Sequence, residues 1–127
     1  MTASTIAGTR STLAAAFSSL AATSYNSVPE SPIPPAIVIV PSSPYMEPNL
    51  LGAITKVKIN FTITAIVAYN SNPASLDNLE QLVIGILAAI PQGYEVGNVE
   101  KPAPLEVGAS TMLCCDINVS TYYTQTN

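Results

Sequence analysis

The segment from Val57 to Asn70 restricts the fold more than any other. Val57, Ile59, Phe61, Ile63, Ala65, Val67 and Tyr69 alternate with Lys58, Asn60, Thr62 and Thr64. Successive side chains of a strand point to opposite faces, so the alternation predicts a long strand with one buried and one polar face. Ile66 and Ala68 interrupt the polar side, and the second half of this strand is expected to be covered on both faces. Thr111 to Tyr123 repeats the pattern, with Leu113, Cys115, Ile117 and Val119 opposite Asp116, Asn118 and Ser120.

A sheet with one apolar face needs a covering layer. Two segments at helical spacing supply it. Thr9 to Ala22 places Leu13, Phe17 and Leu20 at intervals of four and three, with Thr9 or Ser11 as the expected cap. Leu76, Leu79, Val83, Ile86, Leu87 and Ile90 form a second stripe, opened by Asn72-Pro73 or Ser75 and stopped by Pro91-Gln92-Gly93. The β-branched run Ala36 to Val40, closed by Pro41, predicts a short strand buried on both faces.

Between these elements the pattern weakens. Ser24 to Pro35 reads as extended loop, and residues 42–55 as a long loop or arm whose apolar groups need a partner. Tyr94 to Glu106, with Pro102 and Pro104, reads as a short irregular strand followed by loop. Residues 1–8 are small and polar and are expected to be flexible. The 127 residues suit one α+β domain, 1–127, with a small antiparallel or mixed β-sheet and two helices packed on one face.

Composition narrows the function. Charged residues are 9% of the chain, against about 25% in ordinary soluble domains. A surface of Ser, Thr, Asn, Pro and aliphatics suits a subunit packed against neighbours. Eight acids against four bases exclude a groove that grips nucleic acid through its phosphates. The chain contains no His, which removes the usual general base and the commonest zinc ligand. Cys114 and Cys115 are the only thiols, and as strand neighbours they point apart, so they are expected to be reduced and structural. The longest apolar stretch, Leu82 to Ile90, is far short of the roughly 20 residues of a membrane span, so no membrane partner is expected.

No reaction is announced by the remaining residues. The carboxylates form no close-spaced pair and no metal-type cluster, and Asp77 and Glu80 are expected to complement a helix dipole. Gly93 and Gly97 lack the strand, turn, helix and Lys context of a phosphate loop. Lys56 and Lys58 read as a solvated edge feature, while Tyr45, Tyr122 and Tyr123 read as packing or interface aromatics. The expectation is a non-enzyme without catalytic residues, metal or cofactor.

The succession Pro34-Pro35-Ala36-Ile37-Val38-Ile39-Val40, the long alternating strand, the Asn72-Pro73 helix, then Gly93-Tyr94-Glu95-Val96-Gly97-Asn98-Val99 and the closing strand resembles a phage tail terminator. The resemblance runs from the first helix to Tyr123 and rests on short phrases. It implies an α+β subunit of a hexameric ring in the virion neck, made in the host cytoplasm. Such a ring caps the head-proximal end of the tail tube, stops its polymerisation and docks to the head-side connector or stopper protein. The implied partners are further copies of the chain, the tail tube protein and the connector, and DNA passes the channel without specific binding. Tyr45, Met46, Leu50 and Leu51 are the expected subunit contacts, being apolar in a segment too irregular for a core. The alternatives are another neck or tail-tube component, such as a head-tail stopper or tube subunit, and a small ligand-binding domain.

Overall fold

The computed structural model of the chain describes residues 6–18, 20, 23–25, 35–50, 52–69, 73–107 and 110–126. Its elements follow in the order α1 (Ile6–Ala16), β1 (Thr23–Tyr25), β2 (Ala36–Leu50), β3 (Ile54–Ala68), α2 (Pro73–Ala89), β4 (Tyr94–Val99), β5 (Ala103–Val107) and β6 (Ser110–Thr126). They build one sheet in the order β1-β2-β3-β6-β4, with β5 also paired to β6. All pairings are antiparallel except that of β1 with β2. The fold is α+β with a mixed sheet.

The two alternating segments become the central pair. Ile54 to Ala68 pairs in unbroken register with Met112 to Thr126, bringing Phe61 opposite Val119 and Ile63 opposite Ile117. Residues opposite one another share a face, so odd-numbered positions of both strands build the apolar side. Ile59, Phe61, Ile63 and Ile117 are fully buried there with Ile37 and Ile39 of β2. Leu13 and Phe17 from α1 and its following turn, and Leu79, Val83 and Ile86 from α2, close over that same face. A smaller cluster of Ala36, Val38, Ile66 and Met112 is buried on the other face, which is why Ile66 interrupts the polar alternation.

The helices depart from expectation at their starts. Residues 6–8 belong to α1 rather than to a flexible end, and residues 1–5 lie outside the described residues. Thr9 is buried inside α1, and with Ser11 it falls within the helix rather than at its start. In α2 the buried line begins at Ser75 instead of Leu76, because Ser75, Leu79, Val83 and Ile86 align along the sheet while Leu76 faces out. Asn72 lies outside the described residues, and Asp77 and Glu80 fall past the first turn, where the dipole's pull has faded.

The largest correction concerns residues 42–55, where residues 42–50 and 54–55 are strand rather than loop or arm. β2 continues from the Ala36–Val40 run through Pro41 to Leu50. Pro41 pairs with Phe61 and Met46 with Ile59, so Ser42 to Tyr45 face Asn60 alone in a wide bulge. Asn60 holds it: its side-chain amide donates to the Pro44 carbonyl (3.0 Å) and to Glu47 Oε2 (2.7 Å). Edge strands accept prolines and bulges that a central ladder rejects. β1 accompanies β2 only from Ala36 to Val38, so among the described residues the rest of β2 has β3 as its one strand neighbour.

The opposite edge follows the same rule. The expected loop after the irregular strand is a second strand, β5, with Pro104 opposite Leu113 on the outer side of β6. Between β4 and β5 the Glu100 amide still donates to the Asp116 carbonyl (2.7 Å), and Glu100 accepts the Cys115 thiol at 2.9 Å. Thr23–Tyr25, expected within or beside a loop, is β1, and residues 26–34 lie outside the described residues.

Tyr94 fastens α1 to the sheet. Its hydroxyl donates to the Thr9 carbonyl at 2.6 Å, and burial pushes its pKa above the ordinary 10.0. The native state therefore keeps this proton to higher pH than the unfolded chain. The contribution is fully present below pH 10.0 and is lost as pH rises through the raised native value. In alkaline unfolding followed by circular dichroism, Tyr94→Phe is expected to cost about 1 kcal/mol at neutral pH. It should also lose stability less steeply than the parent above pH 10. Equal slopes would remove Tyr94 as the alkaline trigger.

Candidate functional site

The candidate surface begins where the sheet outruns its helical cover. α2, at 17 residues, is ~25 Å long, whereas the 17 residues of β6 reach ~55 Å. α2 leaves the sheet beyond Ala68 and returns through the turn Ile90–Gly93 to Tyr94, opposite Thr121. Gly93 takes φ 93° there, a left-handed conformation that favours glycine. Rows past Ile59, the partner of Thr121, extend beyond this return point. Ile54, Lys56, Tyr122 and Thr124 are exposed there, while Val57 is buried.

The four expected contact residues separate in three dimensions. Tyr45 is half-buried against the core, its ring edge-on to Phe61 with centroids 6.1 Å apart and planes at 63°. The bulge turns it inward, so Tyr45 takes part in the monomer's packing. Met46, one residue on, is exposed. Leu50 pairs with Lys56 through the backbone, and Leu51 lies outside the described residues.

Other exposed apolar side chains carry more of the surface than these four. Ile54 and Tyr122 share the even-numbered face at the sheet end. Lys56 Nζ sits 5.1 Å from the Tyr122 ring centroid, which orders the ring through cation–π attraction. Val96 and Val99 are exposed on β4, and Leu76 and Ile84 on α2. Ile84 was legible as an apolar residue lying off the helix stripe. Ile54 was not, because exposure at a strand end depends on how far the helix reaches.

The polar face of the sheet is built for neutrality. Thr64 donates to Asp116 Oδ1 at 2.9 Å across the β3–β6 ladder. An open trough beside it is lined by Ser42, Ser43, Glu47, Lys58, Asn60 and Asn118, among others. Among the described residues no three His, Cys, Asp or Glu side chains are grouped to hold a metal. Cys114 and Cys115 are free, and burial, then the Asp116 charge, pushes both thiols above their ordinary 9.0. A raised pKa leaves little thiolate at neutral pH, the form a nucleophile or soft-metal ligand needs. No described helix is long and apolar enough to cross a membrane.

No family model and no curated protein matches this chain. Among solved structures it is similar to the type 4 fimbrial biogenesis protein PilO from Pseudomonas aeruginosa, at 16% identity and a TM-score of 0.33. That similarity covers 63% of this chain and 52% of PilO, so the chain spans about half the length of that protein.

Proposed function

We propose that this chain is a structural virion subunit, a tail terminator that closes into a ring on the head-proximal end of a tail tube. The observation that carries the reading is the presence of separate exposed apolar patches on one subunit. One lies at the sheet end, with Ile54 and Tyr122, and another on the outer side of α2, with Leu76 and Ile84. A closed ring needs two different surfaces per subunit, each meeting its complement on the next copy. The prolines and bulge along β2 discourage strand addition at that edge, so neighbours meet through side chains.

The resemblance to phage tail terminators supplies the position on the particle: a hexamer between tail tube and head-side connector. The sheet's polar rows add support. Thr62, Thr64, Asp116, Asn118 and Ser120 present hydroxyls, an amide and one carboxylate, and Lys58 beside them has Glu47 opposite it in the ladder, so no cluster of cations holds a phosphate there. Such a surface lets DNA pass without gripping it. The chain performs no chemistry in this role and uses no cofactor.

Electron microscopy of the purified chain, alone and mixed with tail tubes, tests the reading. Rings, or caps at one end of each tube, are the expected result. A chain that forms no ring and leaves every tube end bare excludes it. The second reading, another neck or tube component, parts from the first in lysates lacking the protein. Tails of uncontrolled length mark a terminator, whereas absence of tubes marks a tube subunit.

A further inference from the structure

The exposed apolar patches carry opposite charge. Beside Ile54 and Tyr122, exposed by 41% and 44%, stand Lys56 and Lys58, half of the chain's four cations. Lys58 lies directly across from Tyr122 in the ladder, and Lys56 stands over its ring. On α2, Asp77, Glu80, Gln81 and Ile84 line one shallow open depression. Their spacing of three, four and seven places them in a single line along the helix. α2 carries these two acids and no base, and Ile84, exposed by 65%, is the most exposed large apolar side chain described.

From this complementarity we infer that the sheet end of one copy docks onto the outer side of α2 in the next copy. Ile54 and Tyr122 cover Ile84, and Lys56 and Lys58 meet Asp77 and Glu80. The occupant of the depression is thus a second copy of this chain. The helix half pairs an apolar centre with acids alone, and the sheet half pairs one with two lysines, of which Lys58 has Glu47 opposite it in the ladder while Lys56 stands over the Tyr122 ring. The contact is head-to-tail, so it propagates and a suitable rotation closes it into a ring. Apolar groups supply the burial while the charges select the register and exclude like surfaces, since like-charge contact costs several kcal/mol. The inference rests on the ring reading above and names the surfaces by which the ring is made.

Two charge variants and their mixture test it. Lys56→Glu/Lys58→Gln reverses the sheet end without setting a carboxylate opposite Glu47, Lys58's ladder partner. Asp77→Lys/Glu80→Lys reverses the helix. Circular dichroism establishes that each is folded, and sedimentation velocity over rising concentration reads self-association of the full chain. Each variant alone is expected to associate on the order of 100-fold more weakly than the parent. A one-to-one mixture should recover assembly, because each reversed surface then finds a reversed partner and each parental surface a parental one. Raising salt from ~0.1 M to ~1 M, which shortens the screening length from ~10 Å to ~3 Å, should weaken the parent's association.

Variants that assemble like the parent, or a mixture that stays as dissociated as its parts, overturn the contact. The ring reading survives that result if the parent still forms rings. A parent that remains monomeric at every concentration also overturns the contact, and capping of tail tubes by that same monomer would leave the terminator reading standing. Bare tubes would remove both.

Discussion

Phe61→Ala is expected to lower stability by about 3–5 kcal/mol, enough to unfold much of the population at physiological temperature. Phe61 is fully buried at the centre of β3, between Pro41 on β2 and Val119 on β6, and it meets the Tyr45 ring edge-on. Removing the ring leaves a cavity that flanking strands, held in two ladders, cannot collapse to fill. Phe61→Leu, which keeps most of the volume, should cost about half as much. Tyr45→Ala should destabilise in the same direction by about 2 kcal/mol, because the bulge delivers this side chain to the same cluster. Denaturant melts of the three variants check the series. A Tyr45→Ala protein as stable as the parent would return Tyr45 to the free surface and overturn its assignment to the core.

Ile86→Asp and Ile84→Asp should behave as opposites although they lie two residues apart on one helix. Ile86 is fully buried against the sheet, so an aspartate there is an unpaired charge in an apolar cluster. Its cost, several kcal/mol, approaches the whole stability of a domain this size, and no cooperative melt is expected. Ile84 points to solvent, and the same substitution should change stability by about 0.5 kcal/mol or less. It should nevertheless weaken self-association, since it removes the apolar centre of the α2 depression. Thermal unfolding and sedimentation of the pair separate the two roles. Loss of folding in Ile84→Asp would mean that α2 is seated with a different face inward.

Much of this architecture is visible in residue spacing. Alternation at Val57 to Val67 and at Leu113 to Val119 reports which positions are buried, because strand side chains have a period of two whatever they pack against. The runs that fail the alternation are informative for the same reason: Ala36 to Ile39 and Ile66 are apolar out of phase because both faces of the sheet are covered there. Leu13, Phe17, Leu79, Val83 and Ile86 declare two helices and their inward faces. Absence of His and the isolation of the carboxylates likewise need no coordinates.

The exposed apolar surface was far less legible, and prolines explain most of the difference. Pro41, Pro44 and Pro48 suggest an irregular arm, since proline cannot donate to a ladder. Strand or loop at these positions depends on whether a neighbour demands the missing N–H. That is settled by where β2 lies in the sheet and by Asn60, which closes the bulge from another strand. The inward turn of Tyr45, the exposure of Ile54 and Tyr122, and the meeting of Lys56 with a ring 66 positions away in sequence have the same origin. Local pattern determines which face of an element is apolar, because that depends on backbone periodicity alone. The tertiary structure decides how much of that face stays covered, because this depends on the relative lengths and offsets of strands and helices brought together across the chain.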